Sequence, residues 1–351
     1  MKEIVINQAN AGQRADKFLK RYMPAMSSGF LYKMLRKKNI TLNGKKITGK
    51  EILAEGDSLK IFFTEETLRK FQGASDPDSL ATEQKKERKE EKDGGEKFPA
   101  LSRKDILYED AELLLLNKEA GILSQKSAPQ DISLNEMMLS YLREKGEVTE
   151  ESLRFYKPGI CNRLDRNTSG IVLAGKTLRA SRMLNRILKD RTMDKYYLAL
   201  VKGSVYEKQQ IRGYLLKNHQ SNTVQISKNM PAEGEAAYIE TIYEPMRRLQ
   251  DEKYNYTLLR VKLVTGRTHQ IRSHLAFVGH PLVGDRKYGD RALNQWVSEQ
   301  YQMRHQFLHA AEVKFPLSEE IPEGVAGKSF QAPLPLSLKS ILDKLHDESK
   351  E

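Results

Sequence analysis

The chain has 351 residues, and its 59 Lys and Arg against 47 Asp and Glu give a formal net charge of +12. The length suits about two domains, and the positive surplus favours a polyanionic partner, either nucleic acid or an anionic membrane surface. The single cysteine, Cys161, excludes an intramolecular disulfide and a multi-cysteine zinc site. The longest unbroken aliphatic run, Leu113 to Leu116, is too short to span a membrane, and the N-terminal residues contain no apolar signal segment, so we expect a cytoplasmic protein.

The positive charge is concentrated near the N-terminus. Residues 1–63 contain 13 Lys and Arg against 5 Asp and Glu, whereas residues 64–100 contain 8 against 10. In this second segment 18 of 37 residues are charged and few are apolar, so burial cannot offset the entropy of ordering it. We predict a small basic domain over residues 1–63, a flexible charged linker over 64–100 and a larger domain over 101–351.

The basic domain is predicted to contain two short helices followed by strands. An amphipathic turn opens at Arg14, and apolar residues between Phe30 and Leu35 form the stripe of a second helix. Strands are then predicted at 40–42, 45–47 and 58–63, with a tight Asn-Gly turn joining the first two.

The second helix and the following hairpin carry cations that suit a phosphate backbone: Lys33, Arg36, Lys37, Lys38 and Lys45. On an isolated helix, such side chains are more typical of a solvated face. The pattern R-x-D-x-F-L, L-x-K-x-x-R, N-G-K resembles the S-four-type RNA-binding domain, the alpha-L motif of ribosomal and RNA-modifying proteins. The resemblance implies binding to structured RNA.

From Asp105 onward the pattern becomes β-rich. Strands are predicted at residues 106–108, 113–116, 160–164, 171–174, 196–201, 236–243 and 254–263. Helices are predicted at residues 178–190, 268–278 and 338–345. The fold class predicted from this order is α+β, with a mixed or mostly antiparallel sheet and flanking helices.

Three polar segments of the large domain carry candidate chemistry, and the first surrounds Asp165. Arg163 and Arg166 flank this aspartate at a predicted strand-to-loop transition, and positive neighbours keep a carboxylate ionised. An ionised carboxylate can act as a nucleophile, as a base or as an ion-pair partner. Taken alone, the string is most typical of a surface ion pair.

The other two segments centre on Tyr197 and on residues 265–274. Tyr197 can stack on a base or move a proton, although packing is the commoner role for a tyrosine. Residues 265–274 form a glycine-containing turn that enters a helix with Arg267 and Arg272, which is a plausible anion site. Histidines 269 and 274 are five residues apart, not four, and no carboxylate matches them, so we interpret them as structural or RNA-facing residues and predict no metal site.

Together and in this order, these motifs resemble the RluA/RluC/RluD-type pseudouridine synthases. The matching strings are N-K-x-A-G from residue 117, R-L-D-x-x-T-S-G, K-x-Y-x-A-x-V-x-G, T-G-R-T-H-Q-I-R-x-H and, from residue 279, G-H-P-x-x-G-D-x-x-Y-G. The resemblance runs from about residue 104 to about residue 335 and implies the pseudouridine synthase fold. It also implies isomerisation of specific uridines without a metal or cofactor. The implied substrate is large-subunit (23S) ribosomal RNA or a pre-ribosomal particle, and nothing in the chain demands more than a monomer.

The resemblance assigns roles residue by residue. It makes Asp165 the catalytic nucleophile, Tyr197 the tyrosine near the target base, and Arg272 the ion-pair partner of the aspartate. Arg163 corresponds to the arginine that enters the RNA stack when the uridine flips out. Arg166 and Arg267 are expected to contact RNA, and attack at ribose C1′ and at uracil C6 both fit these residues.

Two positions depart from the family pattern. Asn162 stands where the family usually has His, and Glu119 stands where it has Pro. The first departure bears on how the flipped base is held. The alternative function is a non-catalytic RNA-binding or ribosome-assembly factor that retains the synthase fold. A membrane-surface protein is disfavoured, because no helix combines the charge with a large apolar face.

Overall fold

The computed structural model describes residues 1–7, 10–72, 101–128, 130–218, 223–231 and 236–348. The chain divides into two compact units. The first comprises Met1–Ala100, Met137–Gly159 and Gly175–Arg182, and the second comprises Leu101–Glu136, Ile160–Ala174 and Met183–Glu351. Within the described residues, no helix is both long and apolar enough to cross a membrane.

The first unit contains a four-stranded antiparallel sheet. Its strands are β1 (Lys2–Val5), β2 (Ile40–Leu42), β3 (Lys45–Lys46) and β4 (Ser58–Ile61), arranged in the order β1-β4-β2-β3. Helices α1 (Ala15–Tyr22), α2 (Ser28–Arg36) and α3 (Glu65–Phe71) accompany it. The predicted helices and the three predicted strands are confirmed, although β3 and β4 end earlier than predicted.

Helix α3 falls inside the segment predicted to be a flexible linker. Thr64 caps this helix. Leu68 is buried in the apolar core of the first unit, and Phe71 packs against that core. The folded module therefore continues to Gln72, past the boundary predicted at residue 63. The charge count missed this because two apolar residues suffice to hold one short helix. Residues 73–100 of the predicted linker lie outside the described residues.

The second unit is built on a twelve-stranded mixed sheet. Its strands are β5 (Ile106–Glu109), β6 (Leu113–Lys118), β7 (Gly159–Ile160), β8 (Ser169–Gly175), β9 (Asp194–Lys202), β10 (Gln209–Asn218), β11 (Thr223–Ser227), β12 (Ala236–Gln250), β13 (Asn255–Leu263), β14 (Leu308–Lys314), β15 (Ser329–Gln331) and β16 (His346–Asp347). The order is β11-β10-β12-β13-β9-β14-β8-β6-β5, with β15, β16 and β7 pairing with β14, β12 and β8. Strands β8 and β14 are parallel, and β9 is antiparallel to both β13 and β14.

The remaining helices are α4 (Leu134–Glu144), α5 (Glu150–Phe155), α6 (Leu178–Lys189), α7 (Gln270–Phe277), α8 (Arg291–Tyr301) and α9 (Leu336–Lys344). The α+β class, the mixed sheet and the three helices predicted for this domain are confirmed. Helices α4, α5 and α8 were not predicted. The signal for α8 was present, because Leu293 and Val297 are buried four residues apart behind the capping residue Asp290.

The strand predicted at 160–164 is wrong beyond Ile160. The Asn162 side chain replaces the backbone pairing at this point, because its Oδ1 accepts the N–H of Leu173 at 2.7 Å and its Nδ2 donates to the carbonyl of Ile171 at 3.4 Å. A side chain that occupies the backbone groups of β8 ends the strand pairing there. Residues 161–168 therefore form a loop, and this loop carries Asp165.

Candidate active site

The loop that carries Asp165 is fixed on both sides of this residue. Ser124 Oγ donates to the Leu164 carbonyl at 2.7 Å and accepts the Leu164 N–H at 3.0 Å. The N–H of Gly121 donates to the Arg166 carbonyl at 2.8 Å. The backbone is thus held at the residue before Asp165 and at the residue after it, while the Asp165 side chain remains 26% exposed.

Lys118 also stabilises the loop that carries Asp165. Its Nζ is buried and donates to the carbonyls of Glu119, Ile122 and Arg166 at 2.8–3.0 Å. Burial lowers the pKa of Lys118 to about 7, while the charge of Asp165 acts in the opposite direction. The unusual Glu119 is compatible with this arrangement, since only its carbonyl is used here and its exposed carboxylate pairs with Lys104.

Arg272, on α7, lies between two carboxylates. Its Nη1 donates to Asp165 Oδ2 at 2.8 Å, and its Nε and Nη2 donate to the two oxygens of Asp285 at 2.7 and 2.9 Å. Burial opposes the charge of Arg272, but Asp285 and Asp165 together raise its pKa above the usual value. Burial likewise opposes ionisation of Asp285, and Arg272 lowers its pKa below the ordinary range.

The loop before α7 brings a histidine next to Asp165. His269 Nε2 lies 4.0 Å from Asp165 Oδ2, and its Nδ1 lies 3.0 Å from the hydroxyl of Tyr288. Gln270 holds this loop, because its side chain accepts from Thr265 Oγ1 at 2.8 Å and from the N–H of Arg267 at 3.1 Å. Arg267 itself is exposed.

Asp165 and Tyr197 line a cavity of about 820 Å³. Its described lining contains one acidic residue, Asp165, and six cations: Lys126, Arg163, Lys189, Arg191, Lys195 and Arg267. Burial, and then the charge of Asp165, raise the pKa of Tyr197, so its phenol stays protonated at neutral pH. A cavity with this charge pattern suits a polyanion that presents one flipped base to the carboxylate.

The structure brings most of the predicted site residues of the large domain together. Asp165, Tyr197, Arg163 and Arg267 share the cavity, and the predicted ion pair of Arg272 with Asp165 is present. Arg166 is exposed next to Asp165, and its Nε donates to the Gly121 carbonyl at 3.0 Å. The predicted contacts of the first unit are all exposed: Lys33, Arg36, Lys37, Lys38 and Lys45.

Sequence reasoning did not assign Asp285, Tyr288 or Ser124 a place near Asp165, and it interpreted His269 as structural or RNA-facing. The string G-D-x-x-Y-G was a usable signal for two of them, because Asp285 and Tyr288 both contact the Arg272–His269 segment. His274 is buried, and its Nδ1 lies 3.0 Å from Thr241 Oγ1, which is a structural contact.

The fold and the site together define an enzyme that acts on a base of a polyanionic nucleic acid. Residues 112–277 match the family model described as RNA pseudouridylate synthase. Ribosomal large subunit pseudouridine synthase C of Escherichia coli strain K12 is 32% identical over 99% of this chain and 97% of the relative. The enzyme of the same name from Vibrio cholerae serotype O1 is 30% identical over 97% of this chain and 96% of the relative.

The structure of human RNA Pseudouridylate Synthase Domain Containing 1 is similar in fold, with a TM-score of 0.53, 23% identity, and coverage of 71% of this chain and 91% of that one. The chain belongs to the RNA pseudouridylate synthase family, and it is an isomerase that converts uridine to pseudouridine in RNA. The predicted resemblance to the RluA/RluC/RluD-type pseudouridine synthases is confirmed.

Proposed function

We propose that this enzyme isomerises specific uridines of large-subunit (23S) ribosomal RNA, with Asp165 as the catalytic residue. The observation that carries the proposal is the Asp165 carboxylate, which accepts from Arg272 at 2.8 Å and lines a cation-lined cavity together with Tyr197. The relatives that cover at least 97% of the chain are named as synthases of the ribosomal large subunit, which supports the choice of substrate.

Pseudouridine formation breaks the N1–C1′ bond of uridine, rotates the uracil and forms a C5–C1′ bond. The C5 proton is released and N1 gains a proton, so atoms and charge balance without an external oxidant or reductant. Asp165 stabilises the detached state, through a covalent bond at ribose C1′ or at uracil C6. Both routes need an ionised carboxylate with one free oxygen, and Arg272 engages Oδ2 and leaves Oδ1 unbonded among the described residues.

Tyr197 supports the base as a neutral phenol. Because its pKa is raised by burial and by Asp165, a phenolate there is disfavoured while Asp165 is ionised. The ring therefore contributes an apolar face for stacking and a hydroxyl for donation. In the sugar step, bond formation that consumes the negative charge of Asp165 removes one of the two causes that keep this phenol protonated.

The RNA is held by cations on both units. At the cavity, Arg163 enters the space that the flipped uridine leaves in the stack, and Arg166 and Arg267 contact the flanking phosphates. On residues 1–63, which we assign to an S-four-type RNA-binding domain, the contacts are Lys33, Arg36, Lys37, Lys38 and Lys45. A second domain joined by a charged linker raises the effective concentration of the catalytic domain, residues 101–351, at a structured target. We expect the enzyme to act as a cytoplasmic monomer on ribosomal RNA or a pre-ribosomal particle.

The test maps pseudouridines by chemical labelling in ribosomal RNA from cells that lack the gene. One or more large-subunit sites should lose the modification. Wild-type protein should restore them, and Asp165→Asn protein at equal abundance should not. An unchanged map overturns the assignment to ribosomal RNA, and restoration by Asp165→Asn overturns the role of the aspartate.

A further inference from the structure

His269 has a backbone conformation that is costly for a residue with a side chain. Its φ angle is 56°, in the left-handed region, at the N-terminal boundary of α7, and its side chain does not cap the helix. Residues other than glycine adopt such a conformation uncommonly, because the Cβ lies close to the following carbonyl oxygen. Because glycine would adopt it freely, the presence of an imidazole here needs a reason other than the turn.

The contacts around the ring favour a proton on Nε2 rather than on Nδ1. Tyr288 Oη accepts the N–H of Val224 at 3.0 Å and lies 3.0 Å from His269 Nδ1. Because this oxygen already accepts one N–H, we assign the phenol as the donor to Nδ1. Burial raises the pKa of Tyr288 and lowers the pKa of His269, so both groups are neutral at pH 7.5. A neutral imidazole that accepts at Nδ1 carries its proton at Nε2.

The protonated nitrogen faces the carboxylate of Asp165. Its Nε2 lies 4.0 Å from Oδ2, the oxygen that already accepts from Arg272 at 2.8 Å. The charged groups around the ring are Asp165 and Asp285, which raise its pKa, and Arg272 and Lys287, which lower it. Two N–H donors thus converge on one carboxylate oxygen, and a shift of about 1 Å turns the longer contact into a hydrogen bond.

We propose that His269, held as the Nε2–H tautomer by Tyr288, is a positioning residue that restrains the Asp165 carboxylate so that Oδ1 faces the substrate. This inference rests on the proposed catalytic role of Asp165. A carboxylate held by Arg272 alone can rotate about a single contact, whereas a second donor on Oδ2 restricts that rotation. Restricting the reacting group to a productive geometry increases the rate of the chemical step.

The first experiment measures the tautomer and does not depend on activity. Long-range proton–nitrogen correlation spectra of ¹⁵N-histidine-labelled full-length protein at pH 7.5 should show the Nε2–H form for the resonance that disappears in His269→Gln. Tyr288→Phe should give a mixture of both tautomers. An Nδ1–H tautomer in the wild-type protein overturns the inference, and so does an unchanged tautomer in Tyr288→Phe.

The second experiment measures single-turnover pseudouridine formation on ribosomal RNA from cells that lack the gene. His269→Gly should slow the step about tenfold, as expected for a lost hydrogen bond, with unchanged RNA affinity. The thermal midpoint verifies that this variant is folded, since relief of the left-handed backbone opposes the loss of the contact with Tyr288. His269→Gln, which retains an N–H near the Nε2 position, should recover most of the rate, and the exposed His346→Gln should be unaffected. A wild-type rate for a folded His269→Gly overturns the inference. An active Asp165→Asn overturns the proposed function instead, and leaves the tautomer result standing.

Discussion

Arg272 gives two of its hydrogen bonds to Asp285, from Nε at 2.7 Å and from Nη2 at 2.9 Å, and this leaves Nη1 for Asp165. Asp285 is almost fully buried and also accepts the N–H groups of Lys287 and Tyr288. The arginine is therefore oriented by the buried carboxylate and presents its remaining donor to the partly exposed one. A bidentate pair of this kind fixes the guanidinium plane.

Asp285→Asn should destabilise the protein and misplace Arg272. Removing one charge of a buried pair leaves the other without compensation, which typically costs about 3 kcal/mol. The matched control is Asp290→Asn, since Asp290 pairs with Lys202 at a partly exposed site and asparagine still caps α8. Urea unfolding should show that the control loses about 1 kcal/mol or less of its free energy of unfolding. Equal losses of unfolding free energy for the two variants would contradict the conclusion that Asp285 forms a buried pair that orients Arg272.

Asp165→Asn should abolish pseudouridine formation while leaving RNA affinity within about twofold, because the RNA contacts come from surrounding cations. The substitution keeps the size of the side chain but removes the charge that either chemical route uses. Asp190→Asn, at an exposed aspartate outside the cavity, is the control and should retain full activity. The comparison uses single-turnover rates and filter-binding affinities on the same RNA. Activity of Asp165→Asn above a few per cent would rule out the aspartate as the reacting group.

Local patterns in the sequence predicted most of the described elements, and the reason is physical. The alternation around Tyr197 and the apolar spacing of α6 report which face of each element is buried. The strand wrongly extended past Ile160 shows the limit of such patterns. An asparagine in a β-like string does not reveal that its side chain bonds to β8, eleven residues further on.

The candidate site was likewise predicted only in part. Asp165 and Arg272 were paired through a resemblance to known motifs, because 107 residues separate them in the chain. Ser124 was missed, since a serine that clamps the backbone of Leu164 has no local signature. The partners of His269 were missed because contacts between distant segments depend on the arrangement of the sheet, which local periodicity does not encode.

Buried His274 should make folding stability fall in mild acid. Burial lowers its pKa to about 4 in the folded protein, against about 6.5 in the unfolded chain. The unfolded state therefore takes up the proton first as the pH falls, and the stabilisation present above pH 6.5 is lost progressively toward pH 4. Between pH 7 and pH 5, protonation of His274 should lower the free energy of unfolding by about 2 kcal/mol.

The measurement is urea unfolding of wild type and His274→Gln at both pH values. Glutamine can retain a hydrogen bond to Thr241 but has no proton to gain, so the variant should lose less stability on acidification. His346→Gln, at an exposed position, should follow the wild type. Parallel pH profiles for His274→Gln and wild type would show that His274 does not titrate abnormally.

The cations of both units should set the salt dependence of RNA binding. Each phosphate contact removed should reduce the slope of log affinity against log salt concentration by about 0.7–0.9. Arg267→Gln tests the cavity, and the double variant Arg36→Gln, Lys37→Gln tests the first unit and should reduce the slope about twice as much. The exposed Lys339 on α9 provides the control variant Lys339→Gln. A slope change for the double variant no larger than that of Lys339→Gln would remove the first unit from the RNA contacts.

Gly170→Ala should destabilise the centre of the sheet beside the Asp165 loop. Gly170 has a φ angle of 112°, which side chains rarely tolerate, and a Cβ there would overlap the backbone of Ala310 on β14. The register places these two residues opposite each other in the parallel β8–β14 pair, so neither backbone can withdraw without breaking the pairing.

Gly279→Ala separates the cost of backbone strain from the cost of overlap, because Gly279 has a φ angle of 87° with open space around it. We expect about 1 kcal/mol for Gly279→Ala from backbone strain alone and at least about 3 kcal/mol for Gly170→Ala, where overlap adds to strain. Urea unfolding of both variants measures the difference, and losses that agree within error would show that the close approach of β8 and β14 does not require glycine.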